Sequence, residues 1–185
     1  MSAEERMQPL LLNPEAASLD CGSLNFGDGY FVNDLPMMRR FAAEMKERGI
    51  FPELECFEGG HIANALILRD EGLLPEYLHF NLVLGVPGAL PADPKNLLYL
   101  AGMLPEGAGW TVSAVGRHQL PLSYVALAAG GHVRVGLEDN IYLKKGVLSD
   151  GNAPFVDRTA RLAAELGRPV ADADWVRRRM GIRKS

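Results

Sequence analysis

The sequence predicts an α/β fold of the (βα)8 TIM-barrel type, shortened at its N-terminal end to about five βα units, with residues 1–185 as one domain. Two observations carry this. Five short apolar or alternating segments ending in glycine or polar residues are each followed by a helical pattern, and strands alternating with helices imply parallel pairing with right-handed crossovers. Charged residues also share strand faces: Glu53 and Glu55 lie on one side of "FPELEC", with Leu54 and Cys56 on the other, and Arg134, Gly136 and Glu138 align in "HVRVGLEDN". In a doubly wound sheet those charges would lie under a helix; in a barrel they line the interior and its C-terminal mouth.

The elements follow in order. "SAEERMQPLL" opens as a helix, with Ser2 and Glu5 spaced for a capping box. "SLDCGSLNFG" reads as the first strand, followed by "LPMMRRFAAEMKERG", where Met38, Phe41, Met45 and Ile50 recur at helical spacing and Gly49 supplies the stop. "FPELECFEGG" leads into "HIANALILRDEG", closed by Gly72. "YLHFNLVLGVPG" precedes "DPKNLLYLAGML", with Asp93 as N-cap and Pro94 at the first helical position, where its missing N–H costs nothing. "WTVSAVGRHQ" and "PLSYVALAAGG" form the fourth unit. "HVRVGLEDN" runs through "YLKKGVLSDG" to the amphipathic "NAPFVDRTARLAAELG" and then to "DWVRRRMGIRKS", whose three arginines read as a solvated helix face. A full barrel takes roughly 250 residues and eight units. A chain that opens on a helix and offers five units is expected to start inside a longer barrel, at its third helix, without strands one to three.

Composition narrows the function. With 19 Lys and Arg against 23 Asp and Glu, the formal charge is −4, which lacks the basic stripe of a nucleic-acid binder and favours a small-molecule partner. The two cysteines, Cys21 and Cys56, are too few for a disulfide framework and lack zinc-ribbon spacing, so a reducing, cytoplasmic setting is expected. No stretch approaches the roughly 20 apolar residues of a membrane span, and "SAEERM" is neither basic nor apolar enough for a signal peptide.

"HVRVGLEDN" then poses a chemical question, because a strand that starts on Val133 and Val135 ends on Glu138, Asp139 and Asn140. Buried parallel strands are normally apolar throughout, so these acids must face something that requires them. A carboxylate held by a guanidinium stays ionised and oriented, which suits Asp139 with Arg134 as a base. Strict alternation would set Asp139 on the face opposite Glu138, so the strand is expected to end at Leu137 or Glu138. The plainer alternatives are a structural ion pair of Arg134 with Glu138 or Glu53, and Ser23 and Asn25 as residues that merely terminate a strand.

The blocks "SLNFG", "FPELECFEGG", "LVLGVPGALP", "WTVSAVGRHQLP", "GGHVRVGLEDNIYLKKG" and "AAELGRPVA" follow one another as in the β-keto acid cleavage enzymes of the 3-keto-5-aminohexanoate cleavage type, a family of lysine fermentation that the chain resembles along nearly its whole length. The resemblance implies a zinc-dependent, homotetrameric TIM barrel that takes a β-keto acid and acetyl-CoA and yields acetoacetate and a new acyl-CoA. It implies Glu138 as the third zinc ligand, Arg134 and Asp139 as a catalytic pair, Glu53 or Glu55 as a further catalytic glutamate, and Ser23 and Asn25 as substrate contacts. The family's other two zinc ligands form a His-x-His motif on an early strand; His61, His79, His118 and His132 each stand alone here. Zinc takes carboxylate and imidazole ligands and polarises a keto group, but a single carboxylate does not hold it. Two other functions therefore stand beside the enzyme: an inactive remnant without the His-x-His ligands, and another metal-assisted TIM-barrel lyase or aldolase.

Overall fold

The computed structural model describes residues 2–182, so Arg183 to Ser185 at the end of the basic terminus lie outside the described residues. Helix α1 (Ala3–Met7) carries the expected capping box: Ser2 N–H donates to Glu5 Oε2 at 2.7 Å and Glu5 N–H to Ser2 Oγ at 3.2 Å. A 3-10 turn leads to strand β1 (Ala16–Asp20) and the hairpin β2 (Leu24–Phe26)–β3 (Gly29–Phe31). Then come α2 (Leu35–Arg48), β4 (Phe51–Cys56), α3 (Gly59–Asp70), β5 (His79–Leu84), α4 (Pro94–Gly102), β6 (Gly109–Ala114), α5 (Gln119–Ala128) and β7 (His132–Arg134). A second hairpin, β8 (Tyr142–Lys144) with β9 (Val147–Leu148), precedes α6 (Ala153–Glu165) and α7 (Ala173–Met180).

Local signals explain most boundaries. Asp93 Oδ1 accepts the Asn96 N–H at 3.0 Å ahead of Pro94, and Gly49 ends α2 at a φ of 70° that a side chain would resist. Neither hairpin was expected from the apolar periodicity, which reads both segments as strand end and loop. Their signature was turn chemistry: Phe26 pairs with Gly29 across Gly27-Asp28, and Gly27 has a φ of 57°.

Five strands form one parallel sheet in the order β1-β4-β5-β6-β7. The order never reverses, and the two faces differ sharply. Leu19, Leu54, Cys56, Phe80, Leu82, Leu84 and Val112 point to the helices and join Met38, Phe41, Met45, Ile62, Leu68, Leu97, Leu100 and Leu122 in one core. The other face carries Ser18, Asp20, Glu53, Glu55, His79, Asn81, Thr111, Ser113, His132 and Arg134, in register from strand to strand. Charges on the face away from the helices are what the sequence pattern required. Among the described residues β1 and β7 each pair on one side only. An open groove of about 870 Å³, lined in part by Val133, Val156, Ala160, Val170 and Trp175, runs along β7. No helix among the described residues is long and apolar enough to cross a membrane.

Candidate active site

Arg134, the last residue of β7, organises the polar face at its C-terminal rim. Its Nε donates to Asp139 Oδ2 at 3.1 Å and its Nη2 to Asp139 Oδ1 at 2.8 Å, a two-pronged pairing, while Nη1 donates to Glu55 Oε1 at 3.1 Å. Glu138 Oε1 approaches Nη2 at 3.5 Å. Burial alone would weaken the guanidinium's charge; its hydrogen bonds to Asp139 and the fields of Asp139, Glu55 and Glu138 more than compensate and raise its pKa. Glu55 Oε1 also accepts from Asn81 Nδ2 at 3.1 Å, and Asn81 Oδ1 accepts from Ser113 Oγ at 2.7 Å. The chain Asp139–Arg134–Glu55–Asn81–Ser113 thus crosses four strands.

The expected strand end at Leu137 or Glu138 is corrected: β7 stops at Arg134. Gly136 has a φ of 155°, and the Asn140 N–H bonds to the Gly136 carbonyl at 3.0 Å, so residues 136–140 form a turn. Two-residue alternation does not extend into a turn. Gly136 and Glu138 therefore do not continue the Arg134 face, and the turn instead folds Asp139 back onto the guanidinium five residues earlier.

Of the two glutamates left open by the sequence, the geometry brings Glu55 onto Arg134. Glu53 lies one layer deeper beside His79, and its pKa is raised by burial and then by the Glu55 charge, against the pull of Arg134 and a hydrogen bond from Ser18. Ser23 and Asn25 are not part of the cluster. Ser23 Oγ accepts the Asn33 N–H at 2.7 Å and closes the first hairpin, while Asn25 sits on β2 against Gly88, where a Cβ would meet its Cβ at 2.7 Å.

Asp20 was missed by the sequence reading, as were Asn81, Ser113 and Thr111. Each sits two residues from another polar inward position, in "SLD", "HFN" and "TVS", so period-two alternation was the available signal. Asp20 pairs in register with Glu55. Burial and then the Glu55 charge push its carboxyl up to about 6, against Arg6, whose Nη2 lies 3.8 Å from Asp20 Oδ2. The folded-state value lies above the roughly 3.9 of an unfolded chain, so Asp20 withdraws stability as pH rises from about 4 to 6. Asp20→Asn should stabilise the protein by on the order of 2–3 kcal/mol at pH 7 and by nothing at pH 4, as measured by urea unfolding. Equal stability of the two proteins at pH 7 would contradict it.

The donor set does not fit zinc by itself. Among the described residues no group of three or more His, Cys, Asp and Glu is placed to hold a metal. Glu138, the ligand implied by the resemblance, is 82% exposed and turned to the rim.

The profile of the beta-keto acid cleavage enzyme family (BKACE) matches residues 1–182. The chain is 46% identical to the 3-keto-5-aminohexanoate cleavage enzyme of Acetoanaerobium sticklandii, over all of this chain and 68% of that protein, and 43% identical to its namesake from Fusobacterium nucleatum, over 67% of that protein. It is 37% identical to the 3-oxoadipate:acetyl-CoA acetyltransferase of Cupriavidus necator, over 98% of this chain and 65% of the relative. A solved structure, the ternary complex of ObcA with a C4-CoA adduct and oxalate, shares the fold at a TM-score of 0.74 and 23% identity, covering 91% of this chain and 45% of that one. The chain therefore spans about two thirds of the length of these curated relatives and under half of the solved one. A rim cluster on "RVGLEDN", a one-sided parallel sheet and a profile match along nearly the whole chain lead to one assignment: the chain belongs to the β-keto acid cleavage enzyme family.

Proposed function

We propose that this chain is the C-terminal part of a TIM-barrel acyltransferase of the cytoplasm that cleaves a β-keto acid with acetyl-CoA, releasing acetoacetate and a new acyl-CoA. The observation that carries the reading is the two-pronged Arg134–Asp139 pair with Glu55 on the same guanidinium. Asp139, held in place by Arg134, takes a proton from the carbon between the keto and carboxyl groups, and the resulting enolate attacks the acetyl thioester. The CoA thiolate leaves. It then attacks the substrate's own keto carbon, the bond to the former enolate carbon breaks, and acetoacetate departs after regaining the proton. Glu55, itself held by Asn81, orients Arg134, and Ser23 and Asn25 at the first hairpin are the further substrate contacts that the resemblance implies.

The two relatives named for 3-keto-5-aminohexanoate, more similar to this chain than the one named for 3-oxoadipate, favour a β-keto acid bearing a cationic nitrogen. An acidic rim suits it: among the described residues, Asp20 pairs with Arg6 and Glu55, Glu138 and Asp139 share Arg134, with Glu53 one layer beneath them. Zinc enters this proposal only with ligands beyond those described, Glu138 contributing one carboxylate. The unpaired edges of β1 and β7 would take three further parallel strands or, failing those, other copies of the chain. A tetramer is the assembly that we expect of the completed barrel.

The incomplete ligand set also favours a second reading, a catalytically inactive remnant. One experiment separates the two. The 185-residue chain, with and without added zinc, is given acetyl-CoA and 3-keto-5-aminohexanoate; acetoacetate is assayed, bound zinc is measured by plasma mass spectrometry, and size is read by exclusion chromatography. We expect substoichiometric zinc and self-associated protein, with turnover arising when an N-terminal segment of a relative carrying His-x-His is supplied. No acetoacetate even with that segment would defeat the enzyme reading.

A further inference from the structure

The turn that carries Asp139 is held from outside by two side chains, each of which breaks a local rule to reach it. Gln119 opens α5 and is 1% exposed. Its Nε2 donates to the Gly136 carbonyl at 3.3 Å, and its Oε1 is buried with no hydrogen-bond partner. An unmatched buried acceptor is costly and rare in native proteins. Asn152 stands at the N-cap of α6, where an asparagine side chain ordinarily accepts an N–H of its own first turn. It makes no such bond. Its Oδ1 instead accepts the Leu137 N–H at 2.8 Å, across fifteen residues of sequence. A Cβ at Gly136 would stand 2.9 Å from that oxygen, so the close approach also needs glycine there. The Gly116 N–H bonds to the Asp139 carbonyl at 2.7 Å and completes the support.

We propose that Gln119 and Asn152 are positioning residues that clamp the 136–140 turn and thereby fix Asp139 against Arg134. Local rules are most often broken where function requires it, and here two elements break them at one turn. Neither residue touches the reacting atoms; both act through the turn. The inference rests on the reading of Arg134 and Asp139 as the working pair.

Two substitutions separate positioning from support of the fold. Gln119→Met keeps the length and removes the orphaned oxygen, and Asn152→Ser restores an ordinary cap to α6 while withdrawing the bond to Leu137. Solvent exchange of the Arg134 Nε–H, measured by NMR on nitrogen-labelled protein beside thermal melting, reads the clamp directly. In both variants exchange should quicken roughly tenfold with the melting temperature unchanged or raised, and Asn152→Asp, which keeps the acceptor, should restore slow exchange. Unchanged exchange in both variants, or exchange that quickens only in step with a lower melting temperature, would overturn the proposal. Turnover with acetyl-CoA is scored separately: fast exchange in the variants alongside a wild-type chain inactive even when completed leaves the clamp standing and removes the enzyme reading.

Discussion

Arg134→Ala is expected to lower the stability of the protein by about 3–5 kcal/mol, a melting shift of roughly 6–20 °C for a chain of this size, and to abolish any cleavage activity. The cost comes from what the arginine leaves behind. The Asp139 side chain is 7% exposed and that of Glu55 12%, and both would remain as carboxylates without their cation. Asp139 would lose two hydrogen bonds at once, and Glu55 would keep Asn81 and the weaker approach of Ser18 Oγ at 3.5 Å. Arg134→Lys should recover less than half of the loss, because an ammonium offers one compact charge where three separate N–H groups of a planar fork are in use. Urea unfolding at pH 7 measures both. A loss below about 1 kcal/mol for the alanine variant would mean that water, and not the guanidinium, satisfies these acids.

Much of this arrangement could be read from the residues, and the parts that could not have physical causes. The helices were legible because Met38, Phe41 and Met45, or Asp93 with Pro94, encode packing face and start within a few positions. Glu53 and Glu55 disclosed the polar face because both charges fall on one strand. Asn81 and Ser113 stayed hidden, since a neutral amide or hydroxyl in an apolar run looks like noise until its partner, 32 residues away, is brought alongside by strand register. The exact end of β7 was illegible for a related reason. "VRVGLED" continues to alternate on paper, and what stops the strand is a glycine conformation stabilised by Gln119 and Asn152 from two other elements. Ser23 and Asn25 show what spacing cannot disclose: "SLNF" does not announce that Ser23 Oγ accepts the Asn33 N–H ten residues on and closes a hairpin.

Between pH 6.5 and 4 the stability of the wild-type protein should change little through the two most perturbed groups of the polar face, because their effects are large and opposite. His79 Nε2 lies 2.8 Å from Thr111 Oγ1, its Nδ1 3.4 Å from Tyr77 OH and its ring 5.7 Å from that of His132, and the residue pairs in register with Glu53 on one side and Gly109 on the other. Burial first, and then the charge of His132, lower its pKa to about 4. The unfolded chain therefore takes up this proton first, near pH 6.5; the stability that His79 confers is complete above that value and is lost as pH falls toward 4, to a total of about 3 kcal/mol. Asp20, raised to about 6, runs the other way and returns a similar amount over much of the same range. Single substitutions should expose each limb. His79→Gln keeps a group for Thr111 but cannot be protonated, so its stability should rise by about 3 kcal/mol between pH 6.5 and 4, whereas that of Asp20→Asn should fall by about as much. Parallel urea-unfolding curves for all three proteins across this range would show that neither group is buried as the fold places it.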